Sequence, residues 1–193
     1  MDFDKILETE FKEIRKAIKF AKHEYHTFTF ATIDSNTPQL RTVVLRSFDS
    51  DKNEIYFHTD NRSPKLIQIK MNSDVSALFY DKVRKIQLRI IGKATTIKKC
   101  AKLKKIWSSM KPDSKLCYMG PFSPTENLDS FKPNLPNHDS HNISTKSDEF
   151  GFGNFCRVSI KMRSLEWLKL NYKGHQRILF HLSPETRPQW LAT

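Results

Sequence analysis

The chain has 193 residues, 38% of them hydrophobic, which is enough apolar material for the core of one ordinary domain. Its amino terminus, MDFDKILETEF, is acidic and polar where a secretory leader is basic and then apolar. No apolar run approaches the ~18 residues that span a bilayer, so a soluble, cytoplasmic protein without a membrane partner is expected. Three cysteines without CxxC spacing argue against a disulfide framework or a structural zinc site. A net charge of +12 predicts an anionic partner without choosing among nucleic acid, a membrane surface and a phosphorylated small molecule.

Leu7, Phe11, Ile14, Ile18 and Ala21 recur at helical spacing and predict an amphipathic helix from about Asp4 to His23. The period then changes to two. FTFATID, QLRTVVLRSF and EIYFHT read as strands separated by the turn clusters DSNTPQ and DSDKN, the pattern of antiparallel hairpins. Ser63 followed by Pro64 is an N-cap with proline at the first helical position, so a short helix is expected from there to Asn72. DVSALFYD and RKIQLRIIGKATTI are two further strands, and KKCAKLKKIWSSM is a second flanking helix with Leu103, Ile106, Trp107 and Met110 on one stripe. Residues 120–149 are rich in Pro, Ser, Asn and Asp and predict a long loop insertion within one domain of residues 1–193. NFCRVSIKM, SLEWLKLNY and QRILFHL read as three closing strands. The total is mainly β with flanking helices, a pattern that favours a barrel over a doubly wound sheet.

The stretch RSPK puts Ser63, Lys65 and a helix start together, and unpaired helix-start amides with basic side chains are what a phosphate needs. Arg41 and Arg46 flank the strand RTVVLR, but positions five apart on a regular strand point to opposite faces. Three alternatives follow: Arg41 acts from the mouth of the strand, a bulge intervenes, or the two arginines serve different anions. His138 and His141 have a spacing that can ligate a metal, but they stand in a polar loop without nearby cysteines, so no metal site is expected. Lys98, Lys99, Lys102, Lys104 and Lys105 would suit nucleic-acid phosphates. No helix-turn-helix, RNP or zinc-finger pattern accompanies them, and a solvated helix face is the simpler reading.

The runs ATIDSNTPQLRTVVLRSF, IYFHTDNRSPKLIQIKMNSDVSALFY and QLRIIGKATTI, followed by LEWLKLNYKGHQRILF, resemble the pyridoxamine 5'-phosphate oxidase family of FMN-binding split barrels, in particular its oxidase-like branch. The resemblance implies a six-stranded split β-barrel, an FMN cofactor, and a homodimer with flavin sites at the subunit interface. It also implies hydride transfer from a small phosphorylated amine or alcohol to flavin N5. Carried over by position, Arg41, Val43, Val44 and Arg46 would contact the flavin and its phosphate, as would His58, Thr59, Ser63 and Lys65. Gln87 would lie near the flavin ring, and Arg177 would reach it across the dimer. Arg46, Lys111 and Ser114 would hold the substrate phosphate, with Lys173 and His175 as the catalytic pair over the substrate ring. The chain departs from the family pattern at Lys173 (an arginine there), at Leu168 (a flavin-side tryptophan), at Pro64 (a basic residue whose charge Arg62 is expected to replace) and in the length of 120–149. These departures imply the alternative of an FMN-binding reductase or flavin carrier without the oxidase activity.

Overall fold

The structure, a computed structural model, describes residues 2–98, 100–136, 143–183 and 186–193. Among them the chain begins with helix α1 (Phe3–Lys19), capped by the Asp2 carboxylate, which accepts from the amides of Asp4 and Lys5 at 3.0 and 3.3 Å. The helix stops at Lys19, short of the expected His23. The His23 ring instead caps a 3-10 turn at Glu24–His26, accepting from the Tyr25 amide at 3.1 Å, and Ala21 falls outside the helix.

Strands β1 (Thr27–Asp34), β2 (Thr37–Asp49) and β3 (Glu54–Asp60) follow as consecutive hairpins. Helix α2 (Pro64–Met71) and strands β4 (Asp74–Asp81) and β5 (Ile86–Ile97) come next. The expected second helix is α3 (Ala101–Ser108), a further short helix α4 (Pro112–Leu116) follows it with proline at its first position, and the end of the expected loop folds as α5 (Thr145–Asn154), capped by Ser144. His138 and His141 lie outside the described residues. Two of the three expected closing strands are one continuous strand, β6 (Phe155–Lys169), followed by β7 (Gln176–His181) and the short β8 (Gln189–Leu191).

The sheet order is β3-β2-β1-β4-β5-β6-β7-β8, and β3 also pairs with β6, so β3-β2-β1-β4-β5-β6 closes into a six-stranded antiparallel barrel. The first half of β6 closes the barrel against β3, while its second half leaves β3 and pairs with β7. Arg163 is the extra residue at that split, since Ile91 pairs with Ser164 and Gly92 with Met162. Gly92 is required there, because a Cβ would stand 2.3 Å from the Lys161 carbonyl oxygen.

Inward positions alternate along the strands as a period of two demands. Phe28, Phe30, Phe57 and Phe79 fill the interior, with Phe28 stacked on Phe79 at 4.6 Å and Phe30 tilted on Phe57 at 4.9 Å. Leu103, Trp107, Met119 and Phe155 form a second apolar cluster between the barrel and helices α3–α5. No helix among the described residues is long and apolar enough to cross a membrane.

One buried polar group fastens α1 to the barrel. Glu10 receives Arg84 Nη1 at 3.0 Å and Nη2 at 2.8 Å, the Tyr25 hydroxyl at 3.1 Å and Trp167 Nε1 at 3.2 Å. Asp81 holds the other edge of Arg84 at 2.5 Å. Removing one member of such a group strands the rest without water, so Glu10→Ala should lower stability by about 3–5 kcal/mol. Urea unfolding of the two proteins measures the difference.

Candidate functional site

Strand β3 carries two groups of cations on opposite faces, because His58 and Thr59 are neighbours on an extended chain. On the barrel side, Lys65 Nζ donates to Thr59 Oγ1 at 3.0 Å and to Ser63 Oγ at 2.5 Å. Ser63 makes no side-chain cap to α2, so the helix start stays open. Each hydroxyl accepts from Lys65 and keeps its own proton to donate elsewhere.

Arg41 is held beside this point by four neutral oxygens: Gln39 O at 2.7 Å, Thr32 Oγ1 at 2.6 Å, Gln68 Oε1 at 3.1 Å and Phe30 O at 3.4 Å. Burial lowers the pKa of both cations, and the charge of Arg41 lowers that of Lys65 further. Among the described residues neither has a carboxylate ion-pair partner. A phosphate dianion fits this cradle, with two cations, two hydroxyl protons and a helix start directed at it.

On the other face, Arg46 is the extra residue of a bulge, since Leu45 pairs with Phe57 and Ser47 with Tyr56. The bulge does not bring the two arginines together: Arg41 joins the Lys65 cradle, while Arg46 lines a cavity with His58 and Arg157 on the opposite face. His58 and Arg157 are direct partners in the β3–β6 ladder. Burial first, then the charges of Arg46 and Arg157, push the His58 pKa from 6.5 down to about 3, so its ring is neutral.

The remaining expected residues stand elsewhere in the chain. Gln87, Leu168 and Arg177 form one cross-strand row over β5, β6 and β7, with Arg177 Nε 3.6 Å from the Glu166 carboxylate. Lys173 and His175 occupy the β6–β7 turn, where Gly174 takes a φ of +126° and His175 Nδ1 accepts from the Asn171 amide at 3.1 Å. His175 lines a different cavity, with Tyr80 and Lys85. Lys111 caps α4 and Ser114 lies in its first turn, both exposed. Val43 and Val44 are half-buried on β2.

Arg62 does not replace the missing basic residue at Pro64. It pairs with Asp60 at 2.7 Å and donates to the Gly120 and Pro121 carbonyls at 3.0 and 3.3 Å, so its charge is spent tying down the loop after α4. Sequence reasoning missed Thr32 and Gln68, which look like ordinary strand and helix residues, and Arg157, which reaches its cavity only through the long-range β3–β6 pairing.

Residues 8–98 match the family model of the pyridoxamine 5'-phosphate oxidase FMN-binding domain. No curated protein matches the chain significantly. Among solved structures, a pyridoxamine 5'-phosphate oxidase-related FMN-binding protein from Nostoc punctiforme is 22% identical, with a TM-score of 0.69 over 96% of this chain and 95% of that one. PhzG from Burkholderia lata, in complex with tetrahydrophenazine-1-carboxylic acid, is 15% identical, with a TM-score of 0.67 over 96% and 91%. A Clostridium acetobutylicum protein related to general stress protein 26 is 10% identical, with a TM-score of 0.58 over 94% and 97%. At these identities the likeness is one of fold, and it is the split barrel with flanking helices.

The neutral state of His58 gives a signed pH dependence. The unfolded chain takes up a proton near pH 6.5 that the folded chain refuses until about 3, so His58's contribution is complete above 6.5 and lost as pH falls toward 3. Stability should therefore decline between pH 6.5 and 4.5 with a slope of up to about 1.4 kcal/mol per pH unit. Urea unfolding of the His58→Gln variant over the same range should give a flatter line.

Proposed function

We infer, for a chain that belongs to the pyridoxamine 5'-phosphate oxidase-like family of FMN-binding split barrels, that it is an FMN-dependent oxidoreductase acting on a small phosphorylated amine or alcohol. FMN is the cofactor, and when bound it supplies the hydride acceptor. The observation that carries the reading is the cradle of Lys65, Arg41, Ser63 and Thr59, two cations and two hydroxyls without an acidic ion-pair partner among the described residues, whose chemistry fits the FMN phosphate. Lys65 and Arg41 neutralise the phosphate, Ser63 and Thr59 orient it, and Val43 and Val44 wall the flavin beside them. Arg46, with Lys111 and Ser114, holds the substrate phosphate.

Gln87 and Arg177 reach the flavin ring from a second copy of the chain, as the family resemblance implies. The outward face of β2, β4 and β5 supports such a homodimer, since it leaves Leu40, Leu78, Tyr80 and Ile91 at 65, 36, 45 and 42% exposure. Lys173 and His175 lie at the end of the same sheet and face the substrate ring. The Asn171 amide occupies His175 Nδ1, which leaves Nε2 to meet the substrate.

The second reading, an FMN-binding reductase or carrier without the oxidase activity, has one specific observation in its favour. Leu168 packs where the family places a tryptophan, and Trp167 is committed to Glu10 on the opposite face. Adding pyridoxamine 5'-phosphate to the oxygen-free, flavin-loaded protein separates the two: bleaching of the flavin absorbance supports the oxidase, and persistence supports the alternative.

Lys65→Ala removes a charge-assisted contact and should weaken FMN binding about 10- to 100-fold by fluorescence titration. Leu78→Asp should give a monomer by light scattering that also loses FMN. A monomer that retains FMN at full affinity would refute the shared site.

A further inference from the structure

We propose that Gln68 is a positioning residue for the flavin phosphate: its amide turns the Arg41 guanidinium side-on to the Lys65 cradle, and the chain thereby selects FMN over riboflavin. The inference rests on the cradle reading above and adds to it residues that do not themselves touch the phosphate.

Gln68 stands on α2, one turn beyond Lys65, and is 7% exposed. Its carbonyl oxygen accepts from Thr32 Oγ1 at 2.6 Å and from Arg41 Nη2 at 3.1 Å, and its nitrogen donates to the Asp34 carboxylate at 3.1 Å. These partners fix the amide in one orientation, since a flip would press an NH2 group against a guanidinium and an oxygen against a carboxylate. Thr32, fully buried, closes the ring: it gives its proton to Gln68 and takes one from Arg41 Nη1 at 2.6 Å.

The ring decides which edge of Arg41 is left. Thr32 and Gln68 take one proton from each terminal nitrogen, which uses the end of the fork, and the Gln39 carbonyl takes the other proton of Nη1 at 2.7 Å. Among the described residues no hydrogen bond uses Nε or the second proton of Nη2. Those donors form the side edge of the guanidinium, parallel and spaced for two oxygens of a phosphate.

Asp34 anchors the ring without quenching the cation. It is exposed at the end of β1, beside a cavity of about 350 Å³ between the β1–β2 turn and α2, so water solvates its charge. A carboxylate in direct contact with Arg41 would compete with the phosphate. The neutral amide transmits the hold of Asp34 and leaves the guanidinium charge to a ligand.

The test is fluorescence titration of the flavin-free full chain with FMN and, separately, with riboflavin, which lacks the phosphate. Gln68→Met keeps the volume and removes the amide, and it should weaken FMN about tenfold while leaving riboflavin unchanged. Gln68→Glu keeps the shape and sets a carboxylate on Arg41, so it should lower FMN affinity at least as far, again without moving riboflavin. In an Arg41→Ala background Gln68→Met should cost FMN nothing further, because its effect passes through Arg41. Should the Gln68 variants not fold, Thr32→Val breaks the same ring and should show the same loss for FMN alone.

Equal weakening of both flavins would make Gln68 a merely structural residue and overturn the proposal, as would a full additional loss in the Arg41→Ala background. Lys65→Ala separates this inference from the reading it rests on. If Lys65→Ala narrows the preference for FMN and the Gln68 variants do not, the cradle stands and Gln68 has no part in it. If none of the variants narrows it, the phosphate lies elsewhere and both readings fall.

Discussion

The pairing of β3 with β6 is the constraint on which the rest depends. Its ladder runs from Glu54 opposite Lys161 to Asp60 opposite Phe155 and closes the barrel. One face of the ladder sends Ile55, Phe57, Val158 and Ile160 into the interior. The other holds Tyr56, His58, Arg157 and Ser159 beneath α3. A slip of one residue would exchange these two sets, putting a guanidinium and an imidazole among the phenylalanines. The register is therefore fixed from both sides, by the aromatic core within and by the Arg157–Tyr56 stack without. The same alternation delivers Thr59 to the Lys65 cradle and His58 to the cavity behind it.

The distribution of acid partners separates structural cations from functional ones. Arg84 is shared between Glu10 and Asp81, Arg62 is paired with Asp60, and Lys115 is paired with Asp148 at 2.8 Å. The pairs with Glu10 and Asp148 join α1 to the barrel and α5 to α4, while Asp60 fixes Arg62 within its turn. Lys65, Arg41 and Arg157 are as well enclosed, but their partners are hydroxyls, amide oxygens and an aromatic ring. A chain that can supply carboxylates to its buried cations elsewhere, and withholds them here, leaves the charge available to a ligand. This contrast marks candidate anion sites more sharply than the net charge of +12 does.

The parts legible in the sequence were those set by near neighbours. DVSALFYD is strand β4 residue for residue, and Ser63 followed by Pro64 does open α2. Arg41 and Lys65 could be brought together because both belong to recognisable local motifs. Arg157 could not, since nothing in CRVSI distinguishes it from a solvated strand arginine until β3 lies beside it. Glu10 gave no sign of its role either, since its burial depends on Arg84 and Trp167, which come from distant parts of the chain. The helix α5 was hidden because its sequence, TKSDEFGFGN, has two glycines and no apolar stripe. Packing supplies what propensity lacks there, as Gly151 sits so close to Met119 and Trp107 that a Cβ would meet Met119 Cγ at 2.8 Å.

The turn at residues 60–63 connects the two faces of the site. Asp60 holds Arg62, Arg62 holds the carbonyls of Gly120 and Pro121, the Asn61 amide bonds the Asn154 carbonyl, and the Asn154 side chain holds the Tyr118 carbonyl at 2.9 Å. The backbone that carries Ser63 and Lys65 is therefore held by the same layer of helices and loop that borders the cavity lined by Arg157. Asn134 extends the tie, its side chain exchanging two hydrogen bonds of 2.9 Å with the backbone of Phe122. The segment after α4 thus acts as a strap across this layer, and Arg62, two residues before Pro64, is its buckle. Arg62 is thereby committed to the scaffold, and Lys65 and Arg41 remain the charges of the candidate cradle.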